Sequence, residues 1–131
     1  MPKNKQNHYS EKIVYMPNSY QVNLSKLNVS DGKLSRDQLG LNSNSFVFCC
    51  FNNAYKITPK VFSCWMRILH KVKDSQLWLL TNNDETSENL KMEAVNQGIN
   101  ANRLVFASYE SISEHLNRIK YADLFLDTRP Y

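Results

Sequence analysis

From residue 45 onward the chain alternates between short apolar runs and longer stretches in which apolar residues recur every three or four positions. Residues 45–50 (SFVFCC) form an unbroken apolar run of strand length, the pattern expected of a strand buried on both faces. Thr58 and Pro59 then supply a helix N-cap followed by proline at the first helical position. Val61, Phe62, Trp65, Ile68, Leu69 and Val72 follow at helical spacing, which predicts an amphipathic helix over 59–72. A second strand is expected at 76–80 (QLWLL). After it comes a helix capped by Thr86 or Ser87, with Leu90, Ala94 and Val95 facing inward and Gly98 at its end. Residues 103–106 (RLVF) read as a third strand. Ser113 opens a short helix running to Ile119, and 122–127 (ADLFLD) read as a fourth strand.

Residues 1–44 differ. The first thirty are rich in Asn, Ser, Lys and Tyr and hold no sustained period, as in an extended arm or interlobe linker, with a short strand offered by Ile13 to Met16. Ser35 and Gln38 have capping-box spacing and Gly40 is a helix stop, so 35–39 is expected to be one short helix. The division is therefore an arm over 1–44 and an α/β domain over 45–131.

Strands and helices alternating across short connections imply parallel strands joined by right-handed crossovers. The fold class is α/β, half of a doubly wound parallel, Rossmann-like sheet, with expected strand order 3-2-1-4.

Composition narrows the chemistry. With 42% hydrophobic and 21% charged residues the chain is ordinary for a globular domain. It has three glycines, at positions 32, 40 and 98, and none in the loop after the first strand (FNNAYKI), which excludes a conventional G-x-G-x-x-G dinucleotide site. The charge of +4 is concentrated in residues 1–45, with six Lys/Arg against three Asp/Glu, whereas 46–131 hold ten against nine. A basic tail is therefore expected, not a nucleic-acid surface. No apolar run has the length of a membrane span, and the polar start lacks a signal-peptide core, which points to no membrane partner and a cytoplasmic location. Cys49, Cys50 and Cys64 lack framework or C-x-x-C spacing, and adjacent cysteines in a strand face opposite ways. Reduced core thiols are expected, with no metal site built from them and His70.

In open parallel sheets ligands bind beyond the carboxyl ends of the strands, where the strand order reverses. Order 3-2-1-4 puts that point between the first and fourth strands, lined by FNNAYKI at 51–57 and TRPY at 128–131. Topology alone thus brings Lys56 to the crevice, with the amides of Asn52 and Asn53 beside it. From position it serves either as a phosphate partner or as a solvated loop lysine. His115 and Arg118 are three apart, so they share a helical face; it could point to the same crevice, although position alone favours the plain structural reading.

Four segments carry a resemblance: YMPNSYQVN at 15–23, SRDQLGL at 35–41, FCCFNNAYKITPKVFSCWMRIL at 48–69 and ADLFLDTRPY at 122–131. With F-N-x-x-Y-K-I, W-x-x-I-L and L-D-T-x-P together, the chain resembles the C-terminal catalytic lobe of protein O-GlcNAc transferases, in particular bacterial members with tetratricopeptide repeats. The resemblance implies a two-lobed GT-B glycosyltransferase and an inverting, metal-independent transfer of N-acetylglucosamine from UDP-GlcNAc to Ser/Thr of protein acceptors. The donor is a substrate and no cofactor is implied.

Residue by residue, the resemblance gives Lys56 the diphosphate and the departing charge, a catalytic role. It assigns Asn53, glutamine in animal members, to the nucleotide-sugar site, and places His115 and Arg118 near the nucleotide. Ile112 stands where animal members carry a lysine near the uridine. The family motif continues into an N-x-H-T-T segment, so the resemblance implies a fragment that is inactive alone; the apolar fourth strand, as an uncovered sheet edge, is expected to promote self-association. Two other readings are a GDP-fucose lobe, as in plant O-fucosyltransferase relatives with the same motifs, and a non-catalytic protein-binding remnant.

Overall fold

The computed structural model describes residues 3–15 and 32–129. Its strands are β1 (Phe46–Cys50), β2 (Ser75–Leu80), β3 (Leu104–Ala107) and β4 (Leu124–Phe125), and its helices α1 (Pro59–Lys71), α2 (Asp84–Asn96) and α3 (Ile112–Ile119). The four strands form one sheet in the order β3-β2-β1-β4, and every pairing is parallel. Phe48 of β1 is registered with Leu77 of β2 on one side and Leu124 of β4 on the other.

Alternation along β1 divides the core between two faces. Phe48 and Cys50 join Leu77, Leu79 and Leu104 beneath Phe62, Trp65, Met66 and Leu69 of α1 and Ala94 of α2. Val47 and Cys49 face the other way with Trp78, Leu80 and Ala107, against Leu41, Phe51 and Tyr121. Crossovers of one hand put α1 and α2 on the first face. Reversal of direction after β3 carries α3 to the second.

Local signals set the helix boundaries, and two lie earlier than the sequence suggests. Thr58 caps α1 as expected, accepting from the Val61 N–H at 3.3 Å. Asn83, not Thr86 or Ser87, caps α2, its Oδ1 accepting from the Thr86 N–H at 2.9 Å. Asn is at least as good a cap and comes first, with Asp84 and Glu85 complementing the helix dipole behind it. Ser111, not Ser113, caps α3 through a reciprocal capping box with Glu114. Only from Ser111 does a glutamate fall at the third helical position. Val95, expected inward, is 56% exposed because it lies about 100° round the helix from Ala94, beyond the face that is buried. Gly98 ends α2 at φ +77°, as its position predicted.

Cys49 and Cys50 are buried, and burial, with the neighbouring Cys50, pushes the Cys49 thiol up to about 11. Cys64 departs from the core expectation: it is exposed, because it lies on α1 between the core positions Phe62 and Trp65 and points away from them. His70 is also exposed, its Nε2 2.8 Å from the Gln97 carbonyl. Among the described residues no cluster has the makings of a metal site. No helix among them is long and apolar enough to cross a membrane.

Of the leading segment, Lys3–His8 form a 3-10 helix. Residues 13–15 do not form the expected strand, and Val14 is 80% exposed; Met16 lies outside the described residues, as does YMPNSYQVN beyond Tyr15. The predicted turn near 35–39 is present as a 3-10 helix, Asp37–Leu39. Ser35 and Gln38 exchange bonds of 2.9 and 3.2 Å, and Gly40 closes the turn at φ +72°. This segment packs onto the domain. Leu41 is buried, the Arg36 guanidinium donates to the carbonyls of Ser43, Ser45 and Tyr121 and pairs with Asp123 at 2.8 Å, and the Tyr121 hydroxyl donates to the Leu34 carbonyl.

The β4 ladder is shorter than the predicted 122–127. Flanking bonds from the Asp123 N–H to the Val47 carbonyl (2.8 Å) and from the Leu126 N–H to the Cys49 carbonyl (2.7 Å) nonetheless carry the parallel alignment to both sides.

Candidate nucleotide site at the carboxyl ends of the strands

Four connections leave the carboxyl ends of the strands, and side chains tie them together. After β1 the chain runs through Phe51, Asn52 and Asn53 into a 3-10 turn, Ala54–Lys56. Asn52 spans the switch point between β1 and β4: its Nδ2 donates to Asp127 Oδ1 and to the Thr128 hydroxyl, both at 2.9 Å. Thr128 is buried, and its N–H donates to the same Asp127 oxygen at 2.8 Å.

Phe51 is the platform of the site. Its ring meets Trp78 edge-on at 4.9 Å between centroids and His115 at 5.2 Å, and the Arg118 guanidinium carbon lies 5.3 Å from its centre. Capping at Ser111 sets the phase of α3 so that His115 and Arg118, one turn apart, both reach it.

Arg118 is only 4% exposed. Its guanidinium donates to the Ser108 carbonyl at 2.6 Å and to His115 Nδ1 at 3.0 Å, while its Nε has no hydrogen-bond partner among the described residues. Burial lowers the arginine's pKa, and Glu110 and Glu114 pull the other way. A guanidinium only donates, so His115 Nδ1 is an acceptor and its proton sits on Nε2. Burial first, and the Arg118 charge second, hold the His115 pKa below its ordinary value, so the imidazole is neutral near pH 7.

Lys56 closes the 3-10 turn with its N–H on the Asn53 carbonyl at 2.9 Å. Its half-buried side chain forms no hydrogen bond or ion pair among the described residues, so its ammonium is uncommitted. Asn53 Oδ1 accepts from the Tyr109 hydroxyl at 3.2 Å, and the Tyr109 N–H donates to Asn82 Oδ1 at 2.8 Å. One cavity, of about 650 Å³, lies between the first turns of α1 and the segment after β4, lined by Thr58, Lys60, Trp65, Asp127, Thr128 and Arg129 among others. It flanks the switch point on the α1 face and contains none of the four sequence-predicted site residues.

The structure therefore joins His115 to Arg118 on Phe51 and puts Asn53 and Lys56 on the loop that Phe51 begins. Among the described residues no hydrogen bond or ion pair joins Lys56 to either α3 residue. Two residues of the site escaped sequence reasoning. Topology put Phe51 in the crevice loop, but nothing in the sequence signalled its contacts with Trp78, His115 and Arg118. Tyr109 and Asn82 sit in polar loops without motif spacing.

The sheet is half of a doubly wound, Rossmann-like α/β domain, with an aromatic, an imidazole, a guanidinium and a lysine gathered at the carboxyl ends of its strands. Comparison with known proteins narrows the class. The sequence profile of glycosyl transferase family 41 matches residues 28–130, so the chain belongs to that family. It is 36% identical over 125 residues to a probable UDP-N-acetylglucosamine–peptide N-acetylglucosaminyltransferase of Arabidopsis thaliana, covering 92% of this chain and 13% of that protein. With the Caenorhabditis elegans protein named as such a transferase it shares 38% identity over 94 residues, 72% of this chain and 8% of that one. A solved structure of a Thermobaculum terrenum O-GlcNAc transferase mutant superposes with a TM-score of 0.62 at 31% identity, over 65% of this chain and 17% of the other. The chain thus spans a small part of the length of the relatives it matches.

Proposed function

We propose that these residues are the nucleotide-sugar-binding part of the C-terminal lobe of a GT-B protein O-GlcNAc transferase, and that UDP-GlcNAc is its donor. The observation that carries the reading is the cluster of Phe51, His115 and Arg118 one short turn from the uncommitted Lys56, at the switch point of a family 41 chain. A nucleoside fits beside that cluster: the partly buried Phe51 ring offers an aromatic face, neutral His115 Nε2–H donates to base or ribose oxygens, and the buried Arg118 holds the imidazole in place.

Lys56 is then the diphosphate partner. In the transfer, the Ser/Thr hydroxyl of the acceptor gives its proton to solvent or to the departing phosphate, its oxygen forms a bond to the anomeric carbon, and the bond from that carbon to the β-phosphate oxygen breaks, so that UDP departs with the electron pair. An ammonium held at that oxygen neutralises the charge as it develops, without a metal ion. Attack opposite the leaving group inverts the anomeric centre. Asn53 supplies an amide to the same ligand. The reading includes a cytoplasmic setting, and association of copies through the outer edge of β4, where Leu124 and Phe125 are half exposed.

The test is a titration of the chain with UDP, UDP-GlcNAc and GDP-fucose, followed by NMR at the His115 and Asn53 side chains. The expected result is saturable shifts with the two uridine ligands and abolition in Arg118→Met. Shifts with GDP-fucose alone would point to the fucosyl lobe, and none with any ligand would leave a non-catalytic module.

A further inference from the structure

We infer that Tyr109 is a positioning residue that fixes Asn53 as a hydrogen-bond donor to the phosphate or sugar oxygens of a nucleoside diphosphate ligand; the inference rests on the site reading above. Asn53 is held at two points. Its carbonyl accepts the Lys56 N–H that closes the 3-10 turn, and its side-chain Oδ1 accepts the Tyr109 hydroxyl at 3.2 Å. A carboxamide offers an acceptor at one end and two N–H donors at the other, and a solvated asparagine exchanges the two ends freely. With Oδ1 occupied, the Nδ2 end is the one left to a ligand. Donors are what an oxygen-rich diphosphate requires, and this one stands three residues before Lys56 on the same turn.

Tyr109 is itself tied down by polar contacts and not by burial. It is 52% exposed, and its N–H donates to Asn82 Oδ1 at 2.8 Å. Asn82 follows β2, Tyr109 follows β3 and Asn53 follows β1, so one chain of bonds links three adjacent strand ends. The hydroxyl is thereby anchored to the sheet, although Asn53 and Tyr109 both lie in exposed loops. Restricting the Asn53 side chain before binding removes part of the ordering cost that the ligand otherwise bears.

The experiment is a double-mutant cycle on the 131-residue chain with UDP as probe, using Tyr109→Phe, Asn53→Ala and the pair. Tyr109→Phe removes one exposed hydroxyl, so the fold is expected to persist. It should weaken UDP binding roughly three- to tenfold, the size of one neutral hydrogen bond. In the Asn53→Ala background it should add nothing. Without ligand, Tyr109→Phe should also shift the Asn53 side-chain NH2 resonances, a readout that a general packing role would leave unchanged. Unaltered affinity in Tyr109→Phe overturns the inference while the site reading stands. An undiminished loss in the Asn53→Ala background also overturns it, because Tyr109 would then touch the ligand itself. A wild-type chain that does not bind UDP at all overturns the site reading and this role together.

Discussion

The Arg118 guanidinium donates to His115 Nδ1 across 3.0 Å, and this bond fixes both the tautomer and the charge of the imidazole. A protonated His115 would have to break it and place two cations side by side against Phe51. The His115 midpoint is therefore expected below its ordinary value, in a direction set mainly by burial and then by Arg118. Arg118→Met should raise it, though not to the ordinary value, since burial remains. An NMR titration of the ring protons measures both. The folded value lies below the unfolded one, so between them the unfolded chain binds more protons. This group's contribution to stability is whole above the unfolded imidazole value and is lost as pH falls below it. A midpoint unmoved by Arg118→Met would contradict the pairing.

Lys56 is expected to act in turnover and not in folding, since its side chain forms no bond among the described residues. In a complete transferase carrying this segment, Lys56→Ala should lower kcat on the order of 10²-fold, the effect of losing one electrostatic partner of a developing oxyanion. The thermal midpoint of the isolated chain should be unchanged. Near-normal turnover would remove Lys56 from the chemistry.

The sheet was legible in the sequence because its strands are continuous apolar runs, and buried parallel strands allow little else. Order 3-2-1-4 followed from the alternation and the handedness of crossovers. Helix starts were less legible where several good caps crowd together: Asn83 competes with Thr86 and Ser87, Ser111 with Ser113, and only the bond to the third residue decides. The end of β4 was overread because ADLFLD alternates well beyond the two residues that pair in the ladder with β1. Of the site, Lys56 followed from topology and His115 with Arg118 from the family motif. Tyr109 did not, since its role is a contact between loops 56 residues apart in the chain.

Arg36 and Asp123 join residues 32–44 to β4 across 87 positions, and the Asp123 carboxylate carries a second bond, to the buried N–H of Val47 at 2.8 Å. The ion pair is partly exposed and contributes little alone. Losing the Val47 partner is the larger effect. Asp123→Ala is therefore expected to cost roughly 1–3 kcal/mol, and Arg36→Met a similar amount, since it also takes the donor from the carbonyls of Ser43, Ser45 and Tyr121. Urea denaturation gives both. A loss well under about 1 kcal/mol in Asp123→Ala would mean that the bond to the Val47 N–H contributes little.

The outer flank of β4 sets the last expectation. Leu124 and Phe125 are 50% and 51% exposed, whereas their β1 partners Phe48 and Cys49 are 5% and 2% exposed. Among the described residues β4 has a neighbour on the β1 side only. An edge that combines free backbone groups with apolar side chains on both faces is a template for strand addition. The isolated chain should accordingly associate as its concentration rises, with a sedimentation coefficient that increases over the accessible range. Leu124→Lys places a charge on that edge without touching Phe51, Lys56 or His115. It should restore a monomer while leaving UDP-induced shifts at His115 as they are in the wild type. If the wild-type chain sediments as a monomer at every concentration, the edge is protected. If Leu124→Lys associates as strongly as the wild type, the contact lies elsewhere on the surface.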